Sequence, residues 1–101
     1  MTPEREDILK LLREHYPALA AEYGIRRMGV FGSVAKGAAT ESSDVDIVVE
    51  FERPIGFRFM ELSEHLERLL RRRVDLLTPA GLQGIRVPRI AQEIAEDVVY
   101  V

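Results

Sequence analysis

Residues Gly29–Phe51 read GVFGSVAKGAATESSDVDIVVEF, and this stretch decides the fold. An apolar run ending in Phe31 gives way to Gly32-Ser33, and a second apolar run, Asp44 to Phe51, carries two aspartates one residue apart. In a strand, residues i and i+2 point to the same side, so Asp44 and Asp46 are expected to project together while Val45, Ile47, Val49 and Phe51 take the core side. Two carboxylates side by side repel unless one is protonated or a cation lies between them. Mg²⁺ suits that place, because it prefers oxygen ligands and keeps coordination positions for water and phosphate.

Working outward, Asp75 lies in Val74-Asp75-Leu76-Leu77, a short third strand. If that strand neighbours the second, Asp75 completes a three-carboxylate cluster of the kind that serves in-line phosphoryl or nucleotidyl transfer. Gly32 lets the backbone come close to a bulky anion. Ser33 offers a hydroxyl and a backbone N–H at the start of a short helical piece around Val34 to Lys36, where free N–H groups attract phosphate. Lys36 stands one turn further on, within reach of a phosphate or of loop carbonyls. Gly37 to Ser43 reads as a loop of small and polar residues.

The remaining pattern fills in the order α-β-(α)-β-α-β-α. Thr2-Pro3 opens a helix with Ile8, Leu11, Leu12 and Leu19 at helical spacing; Tyr16-Pro17 is expected to kink or break it, and Gly24 to end it. Arg26 to Phe31 is the first strand. Pro54 and Gly56 close the connection after the second. Phe59, Leu62, Leu66, Leu69 and Leu70 make an amphipathic helix, which as a crossover would leave the second and third strands parallel. Pro79, Gly81 and Gly84 mark a loop, Arg89 to Asp97 a last helix, and Val98 to Val101 a strand extension. The fold class expected is α/β (α+β), two layers, with helices packed on a small mixed sheet.

Bulk properties narrow the function. The chain has 101 residues, which indicates one domain, 1–101. There is no cysteine, which excludes disulfides, thiolate catalysis and cysteine-based zinc sites. The net charge of −3 disfavours direct nucleic-acid binding, which depends on clustered Lys and Arg. No apolar run approaches the roughly 20 residues of a membrane span, and the polar, acidic start is unlike a secretory signal; a cytoplasmic protein is expected.

Gly32-Ser33, ten residues, then Asp44-x-Asp46 resembles the signature of the DNA polymerase β nucleotidyltransferase superfamily, and the wording of the stretch is most similar to the minimal nucleotidyltransferases. These are often the antitoxin half of a pair with a HEPN-type ribonuclease toxin. The resemblance spans essentially the whole chain. It implies ATP as nucleotide donor, Mg²⁺ as cofactor, Asp44, Asp46 and Asp75 as catalytic metal ligands, and Gly32 and Ser33 holding the triphosphate with Lys36 nearby. The reaction implied is AMP transfer to a hydroxyl, in antitoxins a tyrosine of the toxin. The alternative is a non-catalytic antitoxin that neutralises its partner by complex formation. The resemblance leaves a homo-oligomer open. This chain has Val34 where many relatives carry a basic residue, and Lys36 where arginine is frequent.

Other residues have plainer readings. Arg68, Arg71, Arg72 and Arg73 favour a helix C-terminus and a solvated face, the alternative being a contact for an acidic partner or for the triphosphate tail. His15 falls on the apolar side of the first helix as a boundary residue, and His65 is similar. Glu50 lies roughly 13 Å beyond Asp46, too far for the same metal. Phe57 and Phe59, near Met60, read as core.

Overall fold

The computed structural model describes residues 5–37, 43–79 and 98–101. The Thr2-Pro3 helix start, most of the Gly37–Ser43 loop, Gly81, Gly84 and the expected Arg89–Asp97 helix lie outside the described residues. In chain order the elements are α1 (Arg5–Tyr23), β1 (Ile25–Phe31), α2 (Gly32–Ala35), β2 (Val45–Phe51), α3 (Arg58–Leu70), β3 (Val74–Leu77) and β4 (Val99–Tyr100). The strands form one mixed four-stranded sheet in the order β3-β2-β1-β4. β1 pairs antiparallel with β2 and β4, and β2 pairs parallel with β3. The parallel pair is the one α3 was expected to create, because a parallel partner needs a crossover connection.

α1 runs as one helix through Pro17, so the expected break at Tyr16-Pro17 does not occur. Buried contacts on both sides of the proline hold it: Ile8, Leu9 and Leu12 before, Leu19 and Tyr23 after, all packed in one core. Tertiary burial outweighs the lost helical hydrogen bond. Gly24 ends the helix as expected, at φ +69°, donating its N–H to the Ala20 carbonyl at 2.9 Å.

The sheet has two unlike faces. Val30, Ile47, Val49 and Leu76 join the buried residues of α1 and α3 in the main core, with the row Leu62, Leu66 and Leu70 supplied by α3. The residues that alternate with them, Phe31, Val48 and Leu77, form a second, smaller cluster with Val98. Asp46 and Asp75 lie two residues before Val48 and Leu77, so they belong to this second face, away from α1 and α3.

Two surface readings are corrected. His15 is exposed rather than at an apolar boundary. Phe57 is 96% and Met60 63% exposed, so neither is core; only Phe59 turns inward, edge-on to Phe51. Phe57 and Met60 fall off the Leu62–Leu66–Leu70 row by their helical phase. His65 is half-buried, with its Nδ1 3.2 Å from the Tyr23 hydroxyl. Among the described residues no helix is long and apolar enough to cross a membrane.

β4 is held at the sheet edge by the Val101 N–H to the Met28 carbonyl, 2.9 Å. It can lie so close because Gly29 has no side chain: a Cβ there would collide with Val98 Cγ1 and sit 3.1 Å from the Tyr100 ring. Gly29→Ala is therefore expected to cost about 1–3 kcal/mol and to raise hydrogen exchange at the Val101 amide more than at amides of β2. Urea unfolding and exchange by NMR check both.

Candidate functional site

The site is built where β1 ends and β2 begins. β1 delivers the chain to Gly32 at φ +71°, a left-handed conformation that glycine adopts freely. The chain then turns straight into α2. Val34 is fully buried and anchors α2 to the main core. The side chain that follows Ser33 therefore faces inward. Ser33 is half-buried and Lys36 exposed, with the Lys36 N–H on the Gly32 carbonyl at 3.1 Å.

Gly32 has a second duty. A Cβ at this position would overlap Asp46 Oδ2 and lie 3.1 Å from Asp46 Cγ. The anion that Gly32 lets approach its backbone is thus, in the first instance, the protein's own Asp46 carboxylate. That contact couples the Gly-Ser turn to the aspartate pair.

Asp46 faces Phe31 on β1 and Asp75 on β3. Directly paired residues point to one side of a sheet, so the Asp46 and Asp75 carboxylates share a face, as the sequence suggested. Asp44 differs from expectation: β2 begins at Val45, and Asp44 is an exposed residue just before it. Its charge is still felt at Asp46. The Asp46 carboxyl titrates above its ordinary value, first because burial penalises its charge, then because Asp75 and Asp44 repel it. Among the described residues no three His, Cys, Asp or Glu side chains are gathered as a ready-made metal cage. The three aspartates are close enough to repel but not closed on one point.

This donor set fits a divalent cation. A half-buried carboxylate flanked by two like charges is stabilised by a positive ion, and the groups that act on its titration among the described residues all oppose its charge. Hard oxygen donors with solvent access are the chemistry Mg²⁺ selects.

Glu50 is excluded from the site, as expected, for a reason the sequence did not show. It accepts from Arg27 at 2.8 and 3.0 Å and from Arg26 at 3.4 Å. A shift in register between Ile25 and Arg27 accompanies this double pairing. Arg72 is the residue whose place was missed. Its guanidinium is half-buried, not solvated, and donates from Nη2 to the Ser43 carbonyl, next to Asp44. A run of arginines at a helix end carries no signal that one of them crosses to the segment leading into β2.

Known proteins resemble this chain in sequence and in fold. The sequence profile described as "Nucleotidyltransferase domain" matches residues 6–101. The protein adenylyltransferase MntA of Thermococcus cleftensis is 44% identical over 97 residues, spanning 95% of this chain and 94% of its own. A Methanocaldococcus jannaschii protein, provisionally given the same activity, is 39% identical over 98 residues, covering 94% of this chain and 95% of its own. The solved structure of a provisionally assigned minimal nucleotidyltransferase superposes with a TM-score of 0.74 at 35% identity, covering 95% of this chain and 94% of that one. A toxin–antitoxin crystal structure with AMP-PNP matches at TM-score 0.61 and 25% identity, over 95% of this chain and 70% of that one.

Two outcomes follow. Gly32→Ala is expected to lose about 1–2 kcal/mol from the left-handed backbone alone, with a further loss from the overlap with Asp46. That further loss should shrink in an Asp46→Ala background, where the overlapping atoms are gone; a double-mutant cycle in urea reads the coupling. The second concerns pH. A carboxyl whose folded pKa is raised holds its proton in the folded state after the unfolded chain has lost it, so stability falls as pH rises from the ordinary value of 3.8 through the raised one. Asp46→Asn should remove this decline from the metal-free protein, so its stability relative to wild type should increase as pH rises from 3.8 toward neutral. Melting curves across that range check the sign.

Proposed function

The chain belongs to the nucleotidyltransferase domain family and is a minimal nucleotidyltransferase, and on that premise we propose that it transfers AMP from ATP to a tyrosine hydroxyl of a partner protein, acting in the cytoplasm as antitoxin to a HEPN-type ribonuclease toxin. The reading takes residues 1–101 as one domain. The observation that carries it is the pairing of Asp46 with Asp75 in register, beside Asp44 and against the Gly32 turn. Support for the protein substrate comes from the adenylyltransferase MntA, and for the toxin partner from the toxin–antitoxin structure with AMP-PNP.

In this reading Asp44, Asp46 and Asp75 hold Mg²⁺, which when bound offsets charge on the triphosphate and the attacking oxygen. Gly32 and Ser33 receive the triphosphate through the backbone and hydroxyl at the turn, and Lys36 offers its ammonium to the phosphate tail. The acceptor oxygen bonds to the α-phosphorus, the bond to pyrophosphate breaks, and the hydroxyl proton passes to a carboxylate of the cluster. Asp44 and Asp75 are exposed, so the acceptor approaches an open site from outside. That suits a hydroxyl presented by another protein better than a small molecule, which needs enclosure.

One observation favours a second reading, a non-catalytic antitoxin: the three aspartates do not form a ready-made cage among the described residues. The two readings part in one experiment. Intact-mass spectrometry of the protein encoded next to this one, after incubation with Mg²⁺-ATP, is expected to show a gain of whole AMP units with the wild type and none with Asp44→Asn. The same variant should keep or raise the metal-free melting temperature, because a like charge has been removed. A stable complex without mass gain would establish the binder instead.

A further inference from the structure

The connection between α3 and β3, Arg71 to Arg73, is tied to its surroundings at each residue or beside it. Arg71 ends α3 in a left-handed conformation, φ 55°. The Arg72 side chain donates to the Ser43 carbonyl. The Arg73 carbonyl accepts the Val45 N–H at 2.9 Å. The Glu67 carboxylate, one turn back on α3, accepts the Val74 N–H at 3.1 Å. Asp44 thus sits between two residues, Ser43 and Val45, that are both held by the same short connection. Asp75 follows that connection directly, paired with Asp46.

We propose that Arg72 is a positioning residue: through the Ser43 carbonyl it fixes the backbone that presents Asp44, and so sets Asp44 against Asp46 and Asp75 for a divalent cation. This rests on the metal-binding reading of the three aspartates. Such a device matters for Asp44 because it lies just before β2, outside the strand itself. The Val45 N–H bond fixes the chain on one side of Asp44, and Arg72 supplies the other. Partners that orient metal ligands from behind commonly change metal affinity by about 10–100-fold when removed.

The charge of Arg72 makes the inference sharp. A guanidinium near a cation site repels the cation, so loss of its charge alone would strengthen binding. Loss of a positioning contact weakens it. The two effects have opposite signs.

The test is Mn²⁺ binding by isothermal titration calorimetry, without nucleotide and well below the melting temperature, on wild type, Asp44→Asn, Arg72→Ala, Arg72→Lys and Arg68→Ala. Amide exchange at Val45 is read in parallel. Arg72→Ala is expected to weaken Mn²⁺ binding by about 10–100-fold and to speed exchange at Val45. Arg72→Lys, which keeps a donor, should recover part of both, and Arg68→Ala should change neither. Unchanged or tighter Mn²⁺ binding in folded Arg72→Ala overturns the inference while leaving the metal site standing. The same holds if Mn²⁺ binding is kept and only Mg²⁺-ATP affinity falls, since Arg72 would then contact phosphate. If Arg72→Ala does not fold, Arg72→Lys decides: Mn²⁺ affinity between those of wild type and Asp44→Asn supports the inference, and wild-type affinity with fast Val45 exchange overturns it. If wild type binds no Mn²⁺, or Asp44→Asn binds as wild type does, the metal reading itself fails and takes the inference with it.

Discussion

Asp46 stands at the meeting point of three elements. Its pairing with Asp75 across parallel β2 and β3 brings two like charges together at the edge of a sheet. Burial and the nearby charge of Asp44 add to the strain on its ionised form. The packing of the described residues does not reward such an arrangement, and its cost falls on the fold. The hydrophobic work is done on the other side of the sheet, where Val45, Ile47 and Val49 are fully buried against α1 and α3. The core therefore supplies the stability that lets the opposite face hold unfavourable charge, a division found where a fold keeps a binding site poised.

The Gly32 turn belongs to the same constraint. Its left-handed backbone and missing side chain let Asp46 come close to the start of α2. Val34, buried in the main core, fastens that short helix from below. The turn and the aspartates are thus one unit, built from neighbouring strand ends. The α3–β3 connection completes the frame by holding the backbone on both sides of Asp44.

Much of this could be read from the residues. The alternation of Asp44 to Phe51 placed Val45, Ile47 and Val49 inward, because strand periodicity leaves little choice once one face is buried. The order of helices and strands as far as β3, the parallel β2–β3 pair and the strand at Val99–Tyr100 also agreed with the fold. The readings that went wrong have local causes. Pro17 has a strong intrinsic tendency to interrupt a helix, but the buried residues on either side outweigh it. Phe57 is apolar, and apolarity does not by itself say which side of a helix end faces water.

Sequence by itself determined the candidate chemistry: which side chains carry oxygen donors, the Gly-Ser turn ahead of them, and the inward face of the strand that bears Asp46. These follow from residue type and from a period of two, both of which act over a few neighbouring positions. Only the tertiary structure decided that Asp75 faces Asp46 in register, that Asp44 sits just outside its strand, that Gly32 makes room for Asp46, and that Arg72 crosses to Ser43. All but the place of Asp44 join residues distant in the chain, brought together by the burial of α1 and α3 against the sheet. Local pattern names the groups, and the packing of distant segments sets the distances on which their chemistry depends.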